Sequence, residues 1–209
     1  MPRSGNTDEL PQMDQLQKTL DELGIGTRGR IVIYGDEPAF ASRLFWTLDF
    51  LGQGKRIAIL DGGLAQWKRD RHSVVTGPPN HKPRPFTARL ELEHLTLLTQ
   101  LQKGGAVSIV DARPASEFAT AHIPNAINVP WQSTLTDAGL LRSADELRKL
   151  YPFAPPARVI PYCNTGLVSS WSYFVLRYLG YDPSLYDGGF EEWSRSALPL
   201  PAAAGRGSG

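Results

Sequence analysis

An internal repeat is the feature that most constrains the fold of this 209-residue chain. Residues 30–52, RIVIYGDEPAFASRLFWTLDFLG, align at constant spacing with residues 158–180, RVIPYCNTGLVSSWSYFVLRYLG. Each segment is followed by the pattern Asp-Gly-Gly-x-x-x-Trp, which ends at Trp67 in the first copy and at Trp193 in the second. The repeat predicts two related structural units.

Each copy has the order strand, helix, strand. Short β-branched runs predict strands at 31–34 and 159–162, and aromatic-rich amphipathic segments predict helices at 42–51 and 169–179. Gly52 and Gly180 follow these helices, where left-handed C-caps are typical. Second short apolar runs at 57–60 and 184–186 complete the units. This alternation predicts an α/β fold with a parallel sheet and helices on both faces.

A further unit precedes the second copy. Strands are predicted at 107–110 and 126–129, a short helix at 115–120, and a leading helix at 91–103. The proline-rich residues 77–85 are the predicted linker. We therefore expect a partial domain at 1–80, a complete domain at 86–198, and a disordered tail of Pro, Ala and Gly at 199–209.

Composition narrows the class of protein. Twenty-two Lys plus Arg against twenty-one Asp plus Glu give a formal charge of +1, which favours neither nucleic acid nor a membrane surface as partner. No apolar window approaches the length of a membrane span, and the N-terminus lacks a secretory signal, so a cytoplasmic location is expected. The single cysteine excludes an internal disulfide, and the four scattered histidines offer no metal-ligand spacing.

Four motifs carry a resemblance to a known family. They are VDARPASEF at 110–118, AHIPNAINVP at 121–130, the loop YCNTGLVS at 162–169, and the two closures ending at Trp67 and Trp193. Together they resemble the tandem rhodanese-domain sulfurtransferases of the thiosulfate and 3-mercaptopyruvate type. The resemblance implies a rhodanese-like fold with a catalytic cysteine in the C-terminal domain, which is Cys163. Gly35 occupies the matching position of the first copy, so an N-terminally shortened, non-catalytic first domain is expected.

Cys163 follows a predicted buried strand and precedes a predicted helix. Free backbone N-H groups and the positive end of the helix dipole meet at such a position and favour the reactive thiolate. We therefore expect a solvent-accessible nucleophile that holds transferred sulfur as a persulfide. Six loop residues are predicted to bind the substrate: Asn164, Thr165, Gly166, Leu167, Val168 and Ser169. Ser169 also fits a helix cap. Phosphatase loops have an arginine six residues after the cysteine, and this chain has Ser169 at that position, so phosphatase activity is not expected.

Asp111 and Arg113 follow the predicted strand at 107–110, at the sheet edge where ligands bind in open parallel sheets. Asp111 is expected to be a buried carboxylate that accepts loop N-H bonds. The resemblance implies that Arg113 binds the anionic donor, because a guanidinium pairs well with sulfonate or carboxylate oxygens. A structural salt bridge to Glu117 is the alternative.

The predicted activity is transfer of a sulfane sulfur from a small anionic donor, thiosulfate or 3-mercaptopyruvate, to a thiol or cyanide without a cofactor. A persulfide carrier for a protein partner and a non-catalytic rhodanese-fold binding module are the alternatives. The loop from Asn164 to Ser169 has no Lys or Arg, which favours the singly charged donor. Self-association through the open edge of the shortened first domain is also expected.

Overall fold

The computed structural model describes residues 10–77, 81–105 and 107–196. These residues form two compact units, residues 10–92 and residues 93–196. The boundary lies later than the predicted linker, because residues 84–91 bond to the first unit. Phe86 N-H donates to Asp21 at 2.6 Å, and Glu91 N-H donates to the Phe50 carbonyl at 2.8 Å. The predicted disordered tail at 199–209 lies outside the described residues.

The described residues of the first unit form one two-stranded parallel sheet and three α-helices. The elements are α1 (Met13–Glu22), β1 (Ile31–Ile33), α2 (Pro38–Leu48), β2 (Ile57–Ile59) and α3 (Gly63–Arg69). β1 pairs with β2, with Ile31 opposite Ile57. A π-turn (Asp49–Gln53) and a 3-10 turn (Gly54–Arg56) connect α2 to β2.

The predicted helix at 42–51 is confirmed but begins earlier, because Pro38 occupies the first helical turn, where a missing N-H costs nothing. The apolar face of α2, including Phe45, Trp46 and Leu48, is buried. The chain turns at Gly52 with φ of 80°, a left-handed conformation. A Cβ there would also lie 2.8 Å from the Arg89 carbonyl oxygen, so only glycine fits this turn.

The second unit contains a four-stranded parallel sheet. Its elements are β3 (Leu95–Thr96), α4 (Leu98–Lys103), β4 (Ser108–Asp111), α5 (Ala115–Thr120), β5 (Ala126–Asn128), α6 (Ala144–Arg148), β6 (Arg158–Tyr162), α7 (Ser169–Tyr178), β7 (Asp182–Pro183), β8 (Leu185–Tyr186) and α8 (Gly189–Arg195). The strand order is β5-β4-β6-β7, and β3 pairs separately with β8 in parallel. The predicted α/β class with parallel strands is confirmed.

The predicted helix at 91–103 is wrong in its first half. The chain forms a 3-10 turn (Leu92–His94), then β3, and only then α4. The Thr96 hydroxyl donates to Ser184 Oγ at 2.8 Å beside the pairing of β3 with β8. Tertiary pairing therefore decides the conformation of a segment whose leucines fit a helix equally well.

Helix α6 was not predicted, although its sequence carries a start signal. Ser143 and Glu146 form a capping box, in which the Ser143 hydroxyl accepts from the Glu146 N-H and the Glu146 carboxylate accepts from the Ser143 N-H. The pattern Ser-x-x-Glu was the available clue. No helix among the described residues combines the length and apolarity needed to cross a membrane.

The repeat is visible as a shared close approach in both units. The Gly63 α-carbon lies against the carbonyl of Gly35, and the Gly189 α-carbon lies against the carbonyls of Cys163 and Asn164. Both glycines have positive φ, 58° and 62°. The Asp-Gly-Gly closure of each unit therefore supports the turn that follows its first repeated strand.

Candidate active site

The site lies at the carboxyl ends of β4 and β6, which are neighbours in the sheet. Asp111 is opposite Tyr162 in the register, and the Ala112 N-H donates to the Tyr162 carbonyl at 2.9 Å. Residues that follow the two strands are therefore brought together at one edge, as in other open parallel sheets. This placement brings Arg113 close to the loop that begins at Cys163.

The Cys163 sulfur is held inside its loop. The Gly166 N-H donates to Sγ at 3.2 Å and the Ser169 hydroxyl donates to Sγ at 3.3 Å. Helix α7, ten residues long, begins at Ser169, so its positive end faces the sulfur. These donors can stabilise a negative charge on Sγ or on a second sulfur attached to it.

Cys163 is only 2% exposed, so the predicted solvent accessibility is wrong for this conformation. The reason is the inward direction of the loop. The Cys163 side chain turns toward Gly166 and Ser169, while the Cys163 carbonyl accepts the Phe190 N-H at 2.7 Å. The residue therefore offers little surface to solvent in this conformation.

Gly166 gives the loop its shape through a φ of 88°. Its carbonyl accepts the Ser170 hydroxyl at 2.9 Å and lies 3.2 Å from the Ser169 hydroxyl, whose single proton it shares with Cys163 Sγ. Ser169 is the first helical residue and donates its hydroxyl hydrogen bonds, while Val168 occupies the cap position. The cap role considered for Ser169 is therefore not observed.

The remaining loop residues, Asn164, Thr165, Leu167 and Val168, are half-buried. The carbonyls of Leu167 and Val168 each accept a helix N-H at 3.1 Å, from Ser170 and Trp171. These two residues shape the first turn of α7. Substrate binding by the six loop residues remains a prediction.

Arg113 is buried, with 3% of the residue exposed. Its Nε donates to Asp111 Oδ1 at 3.0 Å, and its Nη2 donates to Asp111 Oδ2 at 2.6 Å and to the Ala121 carbonyl at 2.8 Å. Burial alone would lower the pKa of Arg113, but the hydrogen bonds and charge of Asp111 outweigh it and raise that pKa. The salt-bridge alternative is observed, with Asp111 as the main partner.

Asp111 is fully buried, as expected, and accepts the Arg113 backbone N-H at 2.9 Å. It also accepts the Tyr162 hydroxyl at 2.5 Å, and that hydroxyl accepts the Ile123 N-H at 3.1 Å. Burial, and then the charge of Asp111, raises the pKa of Tyr162 well above its ordinary value of 10.0. Tyr162 therefore stays neutral and locks Asp111 in place.

Glu117 lies at the rim of the loop. Its Oε2 accepts from Nδ2 of Asn164 at 2.8 Å and lies 3.9 Å from Nη1 of Arg113. Nη1 also approaches Oδ1 of Asn164 at 3.4 Å. The sequence indicated Glu117 only as a salt-bridge partner, and its hydrogen bond to Asn164 depends on the alignment of two strands.

Three further residues around the site were not predicted to belong to it. Tyr162 was assigned only to a strand, Asp187 packs against Gly166, and the Phe190 ring stacks 4.1 Å from the Arg113 guanidinium. Asp187 and Phe190 belong to the second Asp-Gly-Gly closure, and the position of that motif in both repeats was the available signal. Among residues 10–77, 81–105 and 107–196, no group of three or more His, Cys, Asp or Glu could hold a metal ion.

Comparisons with known proteins define the class. Residues 94–196 match the family described as Rhodanese-like domain. The crystal structure of SseA from Escherichia coli superposes with a TM-score of 0.76 at 28% identity, covering 87% of this chain and 74% of that one. The fold is thus that of a rhodanese-type protein.

Relatives refine the class to an enzyme family. The 3-mercaptopyruvate sulfurtransferase of Escherichia coli (strain K12) is 30% identical over 213 residues, which cover 91% of this chain and 74% of the relative. The sulfur carrier protein TtuD of Thermus thermophilus is 28% identical over 225 residues, covering 92% and 77%. The chain belongs to the rhodanese-type sulfurtransferase family, and it is a sulfurtransferase.

Proposed function

We propose that the chain transfers a sulfane sulfur by double displacement, with Cys163 as the nucleophile and a persulfide on its Sγ as the intermediate. The observation that carries the proposal is the pair of donors on Sγ, the Gly166 N-H at 3.2 Å and the Ser169 hydroxyl at 3.3 Å. Donors aimed at a developing negative charge stabilise it without reorganisation. The terminal sulfur of a persulfide anion carries the same charge as the thiolate.

In the first step, the Cys163 thiolate attacks the outer sulfur of a small anionic donor. With thiosulfate, the S-S bond of the donor breaks and sulfite leaves with the electron pair. With 3-mercaptopyruvate, the C-S bond breaks and the carbon takes a proton to give pyruvate. In both cases a new S-S bond forms on Cys163, and no external oxidant is needed.

In the second step, a thiol or cyanide attacks the terminal sulfur. The S-S bond to Cys163 breaks, and its electron pair returns to Sγ as the thiolate. The product is a persulfide or thiocyanate. The enzyme is restored without a cofactor.

Arg113 acts as a positioning residue in this proposal. Nε and Nη2 donate to Asp111 and Ala121, and the guanidinium is stacked on Phe190. Three of its five N-H groups are committed to these partners, and Nη1 faces the loop. Its weak approach to Asn164 at 3.4 Å supports a role in placing the first residue of the loop.

The test is mass spectrometry of the intact protein after incubation with thiosulfate or 3-mercaptopyruvate and removal of excess donor. We expect a gain of one sulfur atom that a thiol reverses, and a matched Cys163→Ser protein should gain none. Persulfide formation by Cys163→Ser, or turnover without any persulfide in the native protein, would contradict the mechanism.

A persulfide carrier that serves a protein partner is the second candidate. Two observations favour it: the likeness to the sulfur carrier protein TtuD, and the 2% exposure of Cys163. A buried persulfide is protected from free thiols in solution. Slow transfer from a stable persulfide to small thiols and cyanide would support the carrier, whereas rapid turnover with these acceptors would support the small-molecule enzyme.

A further inference from the structure

The rim of the cysteine loop carries a negative charge from Glu117. This residue lies on α5, one helical turn after Arg113, and its side chain is 42% exposed. Its Oε2 accepts the Asn164 amide at 2.8 Å, which holds the carboxylate beside the residue that follows Cys163. Oε1 has no hydrogen-bond partner among the described residues and is available to an incoming molecule.

The nearest positive charge is already neutralised. Arg113 pairs with both carboxylate oxygens of Asp111, which is fully buried. Arg113, Asp111 and Glu117 carry one positive and two negative charges, so the three together leave one negative charge. The loop residues 164–169 add no Lys or Arg. Asp187, which packs against Gly166, is also negative but is buried, so Glu117 provides the exposed charge at this rim.

We infer that Glu117 determines the charge preference of the sulfur-transfer site. It favours thiols and persulfides that carry a positive charge close to the sulfur, such as aminothiols, and disfavours doubly negative donors such as thiosulfate. This inference rests on the proposed function, because it requires a persulfide on Cys163. At separations of several ångströms near a protein surface, an interaction between two unit charges changes a rate by about threefold or more.

The charge preference applies to the second step, in which sulfur passes from the Cys163 persulfide to the acceptor. The acceptor thiolate attacks the terminal sulfur of the Cys163 persulfide, the S-S bond to Sγ breaks, and the electron pair stays on Sγ. A new persulfide forms on the acceptor. The charge of the acceptor does not alter this balance, so charge can be varied while the chemistry is kept constant.

The test uses three small thiols of similar size: cysteamine is positive, mercaptoethanol is neutral and mercaptoacetate is negative. Cys163 is first loaded with an excess of 3-mercaptopyruvate and freed of donor, and the single-turnover transfer rate is then measured with each thiol. Each rate is divided by the rate of the same thiol with a small uncharged disulfide in solution, which corrects for differences in intrinsic nucleophilicity. We expect the cysteamine ratio to exceed the mercaptoacetate ratio by about tenfold or more.

Variants assign this preference to one carboxylate. Glu117→Gln keeps an oxygen for the Asn164 amide and should bring the three ratios close together. Glu117→Lys should reverse their order. Asp145→Asn, which removes one charge from an exposed residue of α6, is the matched control and should leave the order unchanged.

A second readout needs no variant. Salt screens repulsion, so the rate of persulfide formation from thiosulfate should rise with ionic strength in the native protein. Equal ratios for the three thiols, ratios unchanged in Glu117→Gln, or a thiosulfate rate that falls with salt would overturn the inference. A protein that forms no persulfide with any donor would instead overturn the proposed function.

Discussion

Gly166 lies directly against Asp187. A Cβ on residue 166 would be 2.5 Å from Oδ1 of Asp187 and 2.6 Å from its carbonyl oxygen, and the φ of Gly166 is 88°. Two independent constraints, the contact and the backbone conformation, thus require glycine here. The consequence is chemical, because this conformation directs the Gly166 N-H at the Cys163 sulfur.

Gly166→Ala should therefore destabilise the second unit and disable the loop. A side chain at positive φ costs about 1 to 2 kcal/mol, and the contact with Asp187 should bring the total to about 2 to 4 kcal/mol. Urea unfolding measures the loss, and persulfide formation should slow by at least about tenfold.

Gly139→Ala is the matched control for Gly166→Ala. Its φ is 76°, but nothing lies within 4 Å of the position that a Cβ would occupy. It should show the backbone cost alone and leave persulfide formation intact. Equal effects of the two substitutions would contradict the role given to the contact with Asp187.

Arg113→Lys separates positioning from direct donor binding. Lysine keeps the charge but loses the planar group that pairs with Asp111. If Arg113 positions the loop, kcat should fall by about tenfold or more for thiosulfate and 3-mercaptopyruvate alike. If Arg113 contacts the donor, the loss should appear in KM and be larger for the doubly charged thiosulfate. Steady-state kinetics with both donors distinguishes these outcomes.

The raised pKa of Tyr162 predicts a specific pH dependence of the free energy of unfolding. Its pKa is raised by burial and by Asp111, so the unfolded chain ionises this phenol before the folded protein does. The stabilisation is fully present below the ordinary value of 10.0 and is lost as the pH rises above it, by up to about 1.4 kcal/mol per pH unit. Tyr162→Phe should remove this decrease in stability at high pH.

The measurement is urea unfolding of native and Tyr162→Phe protein from about pH 8 to about pH 11. At the lower pH the variant should be less stable by about 1 to 3 kcal/mol, because Asp111 and the Ile123 N-H lose a partner. The difference should shrink as the pH rises. Val175→Ala, a core substitution without a titrating group, should keep a constant difference. A Tyr162→Phe curve parallel to the native one would contradict the argument.

The open edge of β1 in the first unit predicts self-association of the chain. In the repeat β1 corresponds to β6, which is paired on both sides by β4 and β7, whereas β1 is paired only with β2 among the described residues. Val32 in β1 is 56% exposed. An open strand edge with apolar side chains is a site for pairing with another chain. We expect concentration-dependent association in sedimentation velocity experiments.

Val32→Lys should weaken this association by about tenfold, because a charged edge opposes strand pairing. Val75→Lys is the control, since Val75 is 96% exposed and lies outside both strands of the first unit. A chain that sediments as a monomer at every concentration would exclude this surface as an interface.

Much of the fold follows from local sequence patterns. The repeat, the β-branched runs at 31–34 and 159–162, and the glycines that end the helices correspond to β1, β6, α2 and α7 in the structure. The segment 91–103 shows the limit of such patterns, because leucines at 95, 98 and 101 fit a helix as well as a buried strand. Thr96 becomes part of β3 because β8, far along the chain, supplies its pairing partner Tyr186.

By itself, the sequence determined the strand-loop-helix order around Cys163 and the presence of Asp111 and Arg113 at the end of a neighbouring strand, since both depend on short-range patterns. Only the tertiary structure decided what these groups do. The register of β4 against β6 brings Tyr162 to Asp111, and it brings Asn164 to Glu117. The direction of the loop buries the sulfur. These relationships depend on contacts between residues distant in the chain, which local periodicity does not encode.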